Sequence, residues 1–229
     1  MEIDKYLKTV LCSHVASSGG GKLRSTYAHE IVAAFLGYAR LSAMQADLKA
    51  APGAALDLLR EADRLIVNRP LMDRRCIEIE DASLSAAYPK PVALPSPGVI
   101  IDLLHRGVEG WRGAPVELTV IYDEDIQWIE QVSDSLLFDL TNSLSGVMAS
   151  TNAFFGEMVV EDGTVDWYAT ELELTGEGEL YGEQDEDRAF YGDKITFSAT
   201  LTFTRKGGRC GVTGGHHSAS GEIDDSAYI

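Results

Sequence analysis

From residue 26 to 37 the chain reads TYAHEIVAAFLG. Tyr27, Ile31, Ala34 and Phe35 fall on one helical stripe, and Gly37 is a stop signal. A hydroxyl at Ser25 or Thr26 suits the start of that helix, because it accepts an orphan backbone N–H. A second helix is predicted over 40–51 (RLSAMQADLKAA), ended by Pro52-Gly53. A third is predicted over 55–67, with apolar residues at 58, 59, 62, 65 and 66, closing before Pro70. Residues 1–78 therefore read as a small all-helical unit. The stretch YPKPVALPSPG (88–98) holds four of the seven prolines, which fix φ and remove donors, so an extended linker is expected there. Beyond it the pattern predicts a short helix over 99–111, a strand over 116–123 and a long helix from about 125 to 155. The last third changes period. Ile195, Phe197, Ala199, Leu201 and Phe203 alternate with polar residues, which reads as an antiparallel sheet of three to five strands. The expected class is α+β, with a helical domain at 1–87, a proline-rich linker at 88–98 and an α+β domain at 99–229.

Charge sharpens this picture. The chain carries a formal net charge of −17 over 229 residues. Residues 1–78 hold 11 Lys and Arg against 9 Asp and Glu; the remainder holds 8 against 27. A body so acidic repels nucleic acid through a long-range, salt-dependent field, whereas the nearly balanced first third does not. Hydrophobic residues make up 45% of the chain, enough for a packed core. Glu2 and Asp4 stand where a secretory signal has basic residues, and Lys8 interrupts the apolar stretch, so no such signal is read. Three dispersed cysteines, Cys12, Cys76 and Cys210, fit a reducing compartment. The expectation is a cytoplasmic protein with no membrane contact.

SSGGGKLRST (17–26) suggests a phosphate loop, but Leu23 follows Lys22 where Ser or Thr is needed, and Ala16 replaces the first glycine. His29-Glu30 lacks the second histidine of a zinc helix, since residue 33 is Ala. His216 and His217 are adjacent, and on a strand would face opposite ways. No cofactor and no metal are expected, and no catalytic residue is assigned. An enzyme using Lys22, His29 and Glu30, or Cys210 and His216, is kept as one alternative. The loop GEQDEDRAFYGD (182–193) gathers Asp185, Glu186, Asp187 and Asp193, read as part of an acidic face for a basic partner.

The helix pair joined at Gly37 fits a helix-turn-helix, with Ala33 four residues before the glycine and Ala43, Met44 and Leu48 as packing positions. Its second helix offers Arg40, Ser42, Gln45 and Lys49, and Lys22 and Arg24 precede the first; these six are the candidate nucleic-acid or partner contacts. The segment KLRSTYAHEIVAAFLGYARLSAMQADL (22–48), with LLREADRLIVNRPLMDRRCIEI (58–79) after it, resembles the N-terminal helical part of uncharacterised accessory proteins of bacterial plasmids and integrative elements, some labelled glyoxalase-superfamily. The resemblance implies a mobile-element origin and carries over no catalytic residue. The leading expectation is a non-enzymatic binding protein. Its early helices would contact nucleic acid or a protein, and its acidic domain would contact another protein or form a homodimer. The alternative is an acidic nucleic-acid mimic that inhibits a DNA- or RNA-binding protein.

Overall fold

The computed structural model describes residues 2–85, 92–122, 142–149, 153–184 and 194–224. The class is α+β: helices precede a strand-rich region, and β1 (Arg64–Asn68), β2 (Glu117–Ile121), β3 (Ala153–Trp167), β4 (Glu171–Gln184), β5 (Lys194–Arg205) and β6 (Gly211–Ile223) form a six-stranded mixed sheet in the order β2-β1-β6-β5-β4-β3. The chain divides into two units. The first comprises Met1–Asp123, Ala169–Glu171 and Thr204–Gly214, and the second comprises the rest. The proline-rich stretch is therefore not where the division falls; Pro97 opens a helix of the first unit instead.

The first unit begins with α1 (Ile3–Ser17), whose Ile3, Leu7, Leu11 and Val15 recur every four residues and are all buried. It packs on α2 (Ser25–Phe35) and on α5 (Pro97–Arg112). The three glycines of the opening motif turn the chain between α1 and α2. Gly19 and Gly21 have φ of 80° and 86°, and a Cβ on Gly20 would lie 2.3 Å from the Ala93 carbonyl oxygen. The helix that follows is flanked by Arg24 rather than capped by Ser25 or Thr26, which both lie at its exposed start.

The expected third helix over 55–67 does not form. Leu56–Glu61 is a 3₁₀ turn, and Arg64–Asn68 is strand β1. Leu65, Ile66 and Val67 are consecutive and all buried, the signature of a strand covered on both faces, which helical spacing imitates over so short a window. Residues 1–78 are thus not all-helical. Pro70 does not end a helix; it sits in the first turn of α4 (Arg69–Leu84), where its missing N–H costs nothing. Asn68 Oδ1 caps that helix by accepting from Leu71 N at 2.8 Å. β2 (Glu117–Ile121) pairs in parallel with β1, and Arg64 Nη2 lies 3.0 Å from Glu117 Oε2 at the first register position. β6 (Gly211–Ile223) starts beside β1, antiparallel, at Arg64↔Val212 and Leu65↔Gly211.

In the second unit, β3 (Ala153–Trp167), β4 (Glu171–Gln184), β5 (Lys194–Arg205) and β6 supply the antiparallel strands that the period-two pattern predicts. Ile195, Phe197, Ala199, Leu201 and Phe203 share a buried face with Leu172, Leu174 and Leu180. The helix expected to about 155 is contradicted at its end: Ala153 already belongs to β3, and its residues 125–141 and 150–152 lie outside the described ones. Among the described residues no helix is long and apolar enough to cross a membrane.

Candidate functional site

The helix pair of the first unit is held by side chains that sequence motifs brought forward for other reasons. Glu30 Oε2 accepts the backbone N–H of Leu41 at 3.0 Å, capping α3 (Leu41–Ala50). It is a structural carboxylate, engaged where the zinc-helix reading wanted a base. Gly37 makes the turn with φ of 87°. At the other end of α3, Asp47 Oδ2 accepts from the Tyr38 hydroxyl at 2.7 Å and from Arg205 Nη2. Arg205 is 3% exposed; its Nε donates to the Gly208 carbonyl at 2.5 Å and its Nη2 to the Tyr38 oxygen at 3.0 Å. Burial pushes the Asp47 carboxyl up, but hydrogen bonds from Arg205 and Tyr38 and the charges of Arg205 and Arg209 outweigh it and hold it below its ordinary value. Burial and the Asp47 hydrogen bond push the Tyr38 phenol up. No sequence pattern marks Arg205; it ends an alternating strand like any surface residue.

With α3 anchored through Met44 and Asp47, its other side faces outward. Arg40, Ser42, Gln45 and Lys49 are exposed, as are Lys22 and Arg24. Ala43 is also exposed, so the packing expected of it falls to Met44, which is buried, and to half-buried Leu48.

The second unit presents a different surface. The anticipated Asp185, Glu186, Asp187 and Asp193 lie outside the described residues. The described hairpin from 153 to 184 nevertheless contains nine carboxylates and no Lys or Arg. Its register sets Asp162 opposite Glu177, Thr164 opposite Thr175 and Asp166 opposite Glu173. Directly opposed residues of an antiparallel pair share a face, so four carboxylates stand together as two like-charged pairs. Among the described residues none of these four forms an ion pair. The field of Glu173 and then Asp166 pushes the phenol of exposed Tyr168 upward. Farther along the same face, Glu179 is satisfied by Lys194 and Tyr181, and Lys194 also reaches Asp224 at 3.3 Å. Thr196 and Ser198 continue the polar face on β5.

Two clefts lie in the first unit. One of about 690 Å³ is bordered by Asp4, Leu56, Asp57, Arg60 and Trp111, with the Arg60 guanidinium 3.9 Å over the Trp111 ring. Among the described residues its lining holds no hydroxyl, thiol or imidazole to act as a nucleophile. The other, of about 380 Å³, runs past Cys76, Ile77, Glu80 and Leu94. Burial, aided by Glu80 and Asp73, pushes the Cys76 thiol to about 12, so it is fully protonated at neutral pH. Cys210 is buried with its thiol pushed to about 12 by the same cause. His216 is exposed, and its ring lies 6.3 Å from that of His217. Among the described residues no group of three or more His, Cys, Asp or Glu could hold a metal ion. No protein-family model, curated protein or solved structure matches the chain.

Proposed function

We propose that this chain is a non-enzymatic accessory binding protein that docks a basic protein partner on the carboxylate face of β3 and β4. The observation that carries the reading is the opposed pairs Asp162↔Glu177 and Asp166↔Glu173 in a hairpin without a basic residue. Like charges facing each other across strands destabilise a sheet, and a cationic partner turns that penalty into affinity and encounter rate. The accessory role, in the bacterial cytoplasm, is part of this proposal and rests on the resemblance read in residues 22–48 and 58–79. The exposed row Arg40, Ser42, Gln45 and Lys49 on α3 supports a second contact, with nucleic acid or another protein.

The test is a fluorescence titration with poly-L-lysine across a salt series. Wild type is compared with Asp162→Asn/Asp166→Asn/Glu173→Gln/Glu177→Gln, and with a control neutralising Asp57, Glu78, Asp81 and Asp102 in the first unit. The reading expects the first variant to lose most of the affinity and the control to retain it. Equal losses in both would reduce the effect to net charge and overturn it.

A further inference from the structure

β3 ends the strand order, and among the described residues its one strand partner is β4. An edge strand offers a row of unpaired backbone N–H and C=O groups, and proteins blunt such rows with charged side chains, proline, bulges or very short strands. β3 has 15 residues without proline, and its charges, Glu157, Glu161, Asp162 and Asp166, are all acidic, so they repel an acidic strand and admit a basic one. Its register breaks twice, between Phe155 and Glu157 and between Val160 and Asp162, and then runs unbroken from Asp162 to Trp167 against Glu177 to Leu172. The bulges spoil the first part of the edge for pairing; the last six residues keep regular strand geometry over about 20 Å.

Resting on the docking reading above, we infer that the Asp162–Trp167 edge receives its partner by strand addition, taking an extended protein segment in which Lys or Arg alternates with apolar residues. Backbone pairing supplies the affinity, and alternate side chains supply the choice of partner. On the open face an added strand meets Asp162, Thr164 and Asp166, whose two carboxylates select cations and whose threonine between them accepts a polar or cationic side chain. On the other face it meets Gly163 and then half-buried Val165 and Trp167; the glycine, with no side chain, leaves room for an apolar side chain beside them. Gly163 N–H is held by the Asp162 carboxylate, N to Oδ1 at 2.7 Å. A carbonyl of the incoming strand takes over that donor, and the released carboxylate turns to the incoming cation.

The experiment uses the whole chain and two capped octapeptides of equal composition: Lys and Val strictly alternating, and Lys-Lys-Val-Val repeated. Binding is followed by NMR titration, and backbone amide exchange is measured at 162–167. Strand addition expects the alternating peptide to bind about tenfold more tightly and to slow exchange at these amides. It also expects the preference to vanish in Asp162→Asn/Asp166→Asn. Equal binding of the two peptides without added protection sinks strand addition and leaves acidic docking standing. Failure of both peptides to bind, with poly-L-lysine also silent, sinks both.

Discussion

Arg205 shows how much a single side chain organises in the first unit. Its guanidinium is almost wholly buried and gathers Asp47, the Tyr38 hydroxyl and the Gly208 carbonyl. Removing one partner of such a pair leaves the other charge uncompensated, so Asp47→Ala is expected to lose about 3 kcal/mol, read as a shift of the urea midpoint. The same group sets an acid limit. Its folded pKa lies below the ordinary 3.8, so the unfolded chain takes up the proton first. The stabilisation is complete above that ordinary value and disappears as pH falls through the lower, folded one. Asp47→Asn should therefore flatten the stability curve below about pH 4, measured by urea unfolding at stepped pH. None of this was legible in the residues. Glu30, by contrast, was noticed as half of a metal motif, but sequence could not show that its carboxylate reaches a helix start eleven residues on.

At the scale of elements, the period of the apolar residues guided the reading of three helices and of the later strands. The helices at 25–35, 41–50 and 97–112 and the alternating strands of the last third answered to it. It misled at Leu65–Val67, where burial on both faces erases alternation and leaves a run that also suits a helix. The first helix had a clear signal in Ile3, Leu7, Leu11 and Val15, but its acidic start drew the reading towards targeting instead of packing. Caps decide how firmly these elements are placed. Glu30→Ala should cost about 1 kcal/mol by freeing the Leu41 N–H. Faster amide exchange confined to the first turn of α3 would confirm that the loss is local. Exchange rising throughout the unit would instead mean that Glu30 holds more than a cap.

Across the whole molecule the uneven charge seen in the sequence becomes a property of particular surfaces. The sequence placed the acid excess in the later two-thirds and singled out the loop at 182–193 as part of an acidic face that also takes in Glu177, Glu179 and Glu183. The β3–β4 register was invisible because pairing depends on which strands meet. The opposed carboxylates predict a trade of stability against binding. Neutralising Asp162, Asp166, Glu173 and Glu177 together should stabilise the fold by a few tenths of a kcal/mol per pair, seen as a higher melting temperature, while affinity for a basic probe falls. A lower melting temperature would mean that these groups support the sheet. The segment Thr204–Gly214 belongs to the first unit although residues of the second unit separate it from Asp123. It brings Arg205 to Asp47, buries Cys210 in the helical core and pairs Gly211 with Leu65. On a ribosome, then, the helices before Asp123 emerge long before their latch does, and must wait for about eighty further residues before they can close. A fragment stopping at Asp123 should accordingly show helical signal without a cooperative thermal transition, and a synthetic Thr204–Gly214 peptide added in trans should partly restore one.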